Sequence, residues 1–151
     1  MHRSPLVALW LTLLSLPVLA HTGQGPGLNA FAAGFTHPLL GIDHVVAMLA
    51  VGLWARVLGG RALWLLPTSF VLSMVGGWTL AVAGADLPLV EPLVAASVLV
   101  LGALIATAGR LPLALSALLV GSLGVFHGHA HGTSLHGAAL AFGLGLVATT
   151  A

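Results

Sequence analysis

Eight histidines stand in a chain with four arginines, three acids and no lysine or cysteine, so its site chemistry rests on imidazole and carboxylate. Two of the histidines bracket His37-Pro38-Leu39-Leu40-Gly41-Ile42-Asp43-His44, and three more alternate in Phe126-His127-Gly128-His129-Ala130-His131-Gly132. Without thiolate, such sets suit nickel, cobalt or zinc held by nitrogen and oxygen donors. On a continuous helix the step from His37 to His44 is nearly two turns, which puts both imidazoles on one face about 10 Å apart along the axis. Asp43 then projects from another face. For the second set two geometries stay open: a helix places His127 and His131 one turn apart on one face, and an extended backbone places all three histidines on one side. Met48 follows His44 by one turn; its thioether reads first as packing and, as a ligand, would favour copper(I). His21 and His136 are secondary donors, the first through an amine–imidazole chelate if it begins the mature chain.

The elements that must position these groups are apolar. Hydrophobic residues make up 59% of the chain and charged ones 5%, against about 25% charged in a soluble domain. That composition belongs in a bilayer, where an ionisable side chain is a functional candidate by default. A formal charge of +1 and the lack of a basic patch exclude nucleic acid as a partner. Arg3, the apolar run Leu6 to Leu16, Pro17 and Val18-Leu19-Ala20 read as a cleavable secretory signal over residues 1–20. Residues 21–36 form a glycine-rich external segment, with Thr36 as a cap and Pro38 in the first turn of the helix that follows. The transmembrane domain, 37–151, holds five apolar segments at about 37–58, 61–83, 91–108, 111–127 and 134–151. The expected fold is therefore all-α, a polytopic membrane helix bundle with five transmembrane helices.

Several features orient that bundle. With the mature N-terminus outside, Arg56, Arg61 and Arg110 all lie in cytoplasmic turns, as the positive-inside rule requires. Asp86, Glu91 and the histidines then share the external half. Glu91 opens the third helix, where the helix dipole favours it and where it can attract a cation to the mouth. Pro67 and Gly76-Gly77 mark kinks or points of close packing. Gly124, Gly128 and Gly132 recur every four residues, a small-residue stripe along which another backbone can approach; the expected neighbour is the first helix.

The first histidine motif with its continuation to Trp54, the Leu87-Pro-Leu-Val-Glu91 loop and the Phe126 to Gly132 motif together resemble the HupE/UreJ family of nickel permeases. The resemblance covers essentially all of the mature chain. It implies uptake of nickel(II) or cobalt(II) for hydrogenase or urease maturation, with no tightly bound cofactor. It maps family positions onto His37, Asp43, His44, Phe70, Glu91, His127 and His131. Ser134 stands where the family commonly has a glutamate. Members usually have a sixth helix, whereas this sequence ends within an apolar run and reads as C-terminally truncated.

No G-x-x-x-x-G-K-[ST] motif is present. A potential of −100 mV alone favours entry of a divalent ion by about 4.6 kcal/mol, from 2.3 kcal/mol per charge. The expected mechanism is a potential-driven permease of the bacterial inner membrane, its partners the lipid bilayer and the metal ion, with homo-oligomerisation left open. Because a ligating imidazole must be neutral and has a reference pKa of about 6.5, uptake should weaken in acid. The alternatives are a metal-dependent intramembrane hydrolase using His37, His44, His131 and Asp43, and a nontransporting metal sensor or buffer.

Overall fold

The computed structural model describes residues 28–132 and 139–151; the expected signal sequence, His21, Ser134 and His136 lie outside them. The described residues form six helices and no strand: α1 Leu28–Leu40, α2 Ile42–Leu58, α3 Ala62–Val82, α4 Val90–Ala106, α5 Leu113–Gly132 and α6 Ala139–Thr150. Large apolar side chains face outward along every helix, as with Leu40, Ile42, Trp64, Leu99, Leu118 and Leu140, while His44, Ser97, Ser116, His127 and His129 are buried. Polar groups inside and hydrocarbon outside reverse the arrangement of a water-soluble domain and fit a lipid surround.

By length and composition α3 and α5 can each cross a membrane, and α1 with α2 makes a third crossing if that bent pair is one span. The 17-residue α4 overlaps the expected helix at 91–108, and α6 lies within the expected 134–151, whose first residues are outside those described. The second expected helix matches α3 closely, and the fourth runs on past His127 to Gly132.

The first expected helix, 37–58, is broken. Gly41 is extended (φ −87°, ψ 106°), and the helices on either side of it meet at a 73° bend. Gly41 has the lowest helix propensity of any residue but proline, and Asp43 rewards a new N-terminus: its Oδ1 accepts the His44 backbone N–H at 2.9 Å in the first turn of α2. Pro38 accordingly lies near the end of α1 and does not open a helix. Thr36 caps nothing, because its hydroxyl donates back to the Ala32 carbonyl at 2.9 Å. Much of the expected external segment is helical, from Leu28 onward.

The most extensive packing joins α3 to α5, followed by α1 with α6. A methyl group on Gly124, Gly128 or Gly132 would collide with backbone of α3 at Phe70, Met74 and Trp78 respectively, so the glycine stripe is what lets these two backbones touch. Its neighbour is therefore α3 and not the first helix. Advancing one turn on α5 advances one turn on α3, which makes the two helices parallel. Trp54 Nε1–H donates to the Gly109 carbonyl at 2.9 Å, tying the late turns of α2 to the α4–α5 connection. This gathers Arg56, Arg61 and Arg110 toward one end of the bundle.

Candidate metal site

At the other end, α1, α2 and α5 bring four histidines together. His44 and His127 are 1% exposed, and His37 and His131 are half-buried. The bend at Gly41 is what allows this. Instead of standing two turns apart on one rod, His37 closes α1 and His44 starts α2, and both rings meet His131, with centroids 4.8 and 4.9 Å away. His127 lies 5.4 Å from His44 by the same measure. The helical alternative for the second motif holds, so His127 and His131 share a face of α5.

Phe70 of α3 forms part of the floor of this cluster, with its ring 6.2 Å from His44 and 5.5 Å from His127. Phe142 of α6 contacts His37 at 5.5 Å. These rings exclude water from one side of the imidazoles, which strengthens any charge interaction formed there.

The nitrogens have defined partners. His131 Nε2 lies 3.2 Å from His44 Nδ1. His44 Nε2 faces the Thr150 hydroxyl at 3.4 Å, and His127 Nε2 contacts Ser97 Oγ at 2.9 Å. Ser97 is wholly buried, and its Oγ is also 2.6 Å from the Val94 carbonyl. Its proton belongs to that carbonyl, so the Ser97–His127 contact has the wrong polarity for a serine nucleophile activated by its base. In the arrangement present, imidazole nitrogens pair with one another and with hydroxyls, and no three His, Asp or Glu side chains among the described residues are placed to hold one metal ion. Binding an ion here requires the hydrogen bond between His44 and His131 to be given up.

The other candidates fall outside the cluster. His129 is buried but its Nε2–H donates to the Ala85 carbonyl at 2.7 Å, fastening α5 to the α3–α4 loop and leaving Nδ1 without a partner. The structure thus separates His129 from the other two histidines of its motif. Asp43 is exposed and accepts the His44 backbone N–H in the first turn of α2. Glu91 is exposed in the first turn of α4. Met48 is half-buried against the apolar core, as its packing reading has it. Ser97 and Thr150 are the residues that sequence reasoning missed. Ser97 carries the sole polar side chain between Leu93 and Ala106, and a hydroxyl alone in an apolar span is a signal for an interhelical hydrogen bond.

Comparison with known proteins bears on the whole of this arrangement. The model of the HupE / UreJ protein family matches residues 9–151. The chain is 44% identical over 125 residues to Protein HupE of Rhizobium leguminosarum bv. viciae, an alignment that covers 83% of this chain and 65% of that relative. No solved structure matches. With both histidine motifs, the buried cluster and the apolar exterior inside the matched region, the chain belongs to the HupE / UreJ family.

Proposed function

We propose that this protein carries a divalent transition-metal ion, nickel(II) first and cobalt(II) second, into a bacterial cell through the histidine cluster, in support of hydrogenase or urease maturation. The supporting observation is the His44 Nδ1 to His131 Nε2 separation of 3.2 Å within a group of four imidazoles, two of them buried and two half-buried. Two nitrogens held about 2.0–2.1 Å from one ion lie roughly 2.9–3.4 Å apart at angles between 90° and tetrahedral, so this pair already stands at the bite of a chelate. An entering ion binds His44 Nδ1 and His131 Nε2 as the His131 proton passes from Nε2 to Nδ1 of the same ring, which stays neutral. His37 and His127 supply further donors by small ring rotations, and Phe70 keeps the site dry. Asp43 and Glu91, both exposed, lower the cost of bringing a dication to the mouth. Release follows because a site made of neutral imidazoles holds the ion without a buried counter-charge, and the membrane potential draws the ion inward.

In this reading the bundle sits in the inner membrane with its arginine end cytoplasmic and its histidine end outside, the short helices α4 and α6 completing five passes. Nickel accumulation in a transport-deficient host tests it. His44→Ala and His131→Ala are expected to reduce accumulation to the host background, with Asp43→Asn giving a partial loss. Undiminished accumulation in His44→Ala cells that contain normal amounts of the protein would remove the cluster from the path.

A further inference from the structure

Serine has one hydroxyl proton, and at Ser97 two acceptors compete for it: the Val94 carbonyl at 2.6 Å and His127 Nε2 at 2.9 Å. Were the proton directed at His127, two oxygen lone pairs would face each other at 2.6 Å in a wholly buried site. Desolvated acceptors without a proton between them are costly. The hydrogen-bond network therefore assigns the proton to the Val94 carbonyl and makes Oγ the acceptor of an Nε2–H from His127.

We propose that Ser97 is a positioning residue that holds His127 in its Nε2–H tautomer, so that Nδ1 is the nitrogen His127 offers to a metal ion. This deepens the metal-transport reading and rests on it. A histidine ligand is oriented by the hydrogen bond its other nitrogen makes, and Ser97 supplies that bond from a helix, α4, that contributes no histidine of its own. The same logic recurs at His44. Thr150 donates its proton to the Leu146 carbonyl at 2.9 Å and presents an oxygen to His44 Nε2 at 3.4 Å. His44 is thereby left with its lone pair on Nδ1, the atom that faces His131. In each case a helix carbonyl takes the hydroxyl proton, which turns an ambivalent side chain into a pure acceptor.

The full chain, labelled with ¹⁵N-histidine and purified metal-free in detergent, allows the tautomer to be read from two-bond ¹H–¹⁵N correlations, with His127→Gln identifying the signal. Wild type is expected to show His127 as Nε2–H, and Ser97→Ala to show a mixture of tautomers. Cobalt(II), whose visible absorption reports its ligands, is the binding probe. Ser97→Ala should weaken cobalt affinity by roughly 10- to 100-fold, the usual effect of losing the partner that orients a ligand. Ser97→Thr, which keeps the hydroxyl, should restore it. An Nδ1–H tautomer in wild type, or a Ser97→Ala protein unchanged in tautomer, overturns the proposal. So does a tautomer shift with unaltered cobalt affinity, since His127 would then not be offering Nδ1 to the ion. Failure of the transport reading looks different: wild type and His44→Ala would bind cobalt equally poorly, while the tautomer spectra still decide the role of Ser97.

Discussion

Two glycine seams hold the site together, and they are built differently. Between α3 and α5 the helices run parallel, and Gly124, Gly128 and Gly132 meet successive turns of α3, with Gly77 answering against the Val125 carbonyl. Between α1 and α6 the contacts are sparser: Gly145 abuts the Phe31 backbone, Gly34 abuts that of Phe142, and Thr149, one turn after Gly145, donates at 2.5 Å to the carbonyl of Phe35, one turn after Phe31. Residue numbers rise together on both helices, so this seam is parallel too, but it is the shorter of the two. The long seam presents two histidines from one rigid face of α5. The short seam brings His37 from α1 and Thr150 from α6 against them. One seam supplies a fixed half of the cluster and the other the half that must be docked onto it.

The largest effect is expected at the long seam, between α3 and α5. In Gly128→Leu a side chain must occupy space filled by the Met74 carbonyl, in the middle of the longest contact in the molecule. Overpacking of this kind typically costs about 1–3 kcal/mol or more, and here both backbones resist it. The folded protein should be largely lost, measured as the monodisperse fraction after detergent extraction. Wild-type recovery of Gly128→Leu would break the claim that this seam is rigid.

A smaller and different effect is expected at the short seam. Gly145→Ala drives a methyl into the Phe31 carbonyl, but with fewer contacts to hold it α6 can shift as a unit. The α3–α5 pair should remain folded, with a melting temperature lowered by less than that of Gly128→Ala. Nickel accumulation should fall nonetheless, because displacing α6 pulls Thr150 from His44 and loosens α1 with His37. Equal losses of stability and transport in Gly145→Ala would erase the distinction between a fixed and a docked half.

Below these comes a substitution at the far end. Trp54→Phe removes the hydrogen bond to Gly109 while keeping most of the apolar volume. A typical net cost is about 1 kcal/mol, seen as a lowered melting temperature. Metal accumulation per folded molecule should not change, since the arginine end is remote from the cluster.

The unequal visibility of the two seams in the sequence follows from their geometry. A parallel contact sustained over several turns imprints a four-residue repeat on α5, and the stripe from Gly124 to Gly132 displays it, though not which helix lies against it. A contact through one glycine on each helix leaves no period at all. The histidine motifs were legible because imidazole in hydrocarbon is conspicuous. How they meet was not, because it depends on the break at Gly41, and a lone glycine in an apolar run is compatible with a continuous helix. His129 was grouped with its motif by spacing, whereas the Ala85 carbonyl that claims it comes from a distant loop. Ser97 stands out in the sequence only as a lone hydroxyl in an apolar run, and the position of Val94 and His127 around it is what shows which way its proton points.

The finest test lies in two adjacent glycines that sequence reasoning could not tell apart. Gly76 and Gly77 both sit in the interior of α3, yet a Cβ on Gly76 meets nothing within 4 Å, whereas one on Gly77 meets the Val125 backbone. Gly76 faces outward, so alanine there gains helix propensity and fills no occupied space. Gly76→Ala should be neutral or should stabilise the protein by about 0.5–1 kcal/mol, the usual difference between the two residues inside a helix. Gly77→Ala carries the same propensity gain, and the collision with α5 must outweigh it. Opposite signs in the melting temperatures of these two variants would isolate the close approach of α3 and α5 from every effect of glycine on the helix itself. Like signs would mean that the long seam yields as readily as the short one.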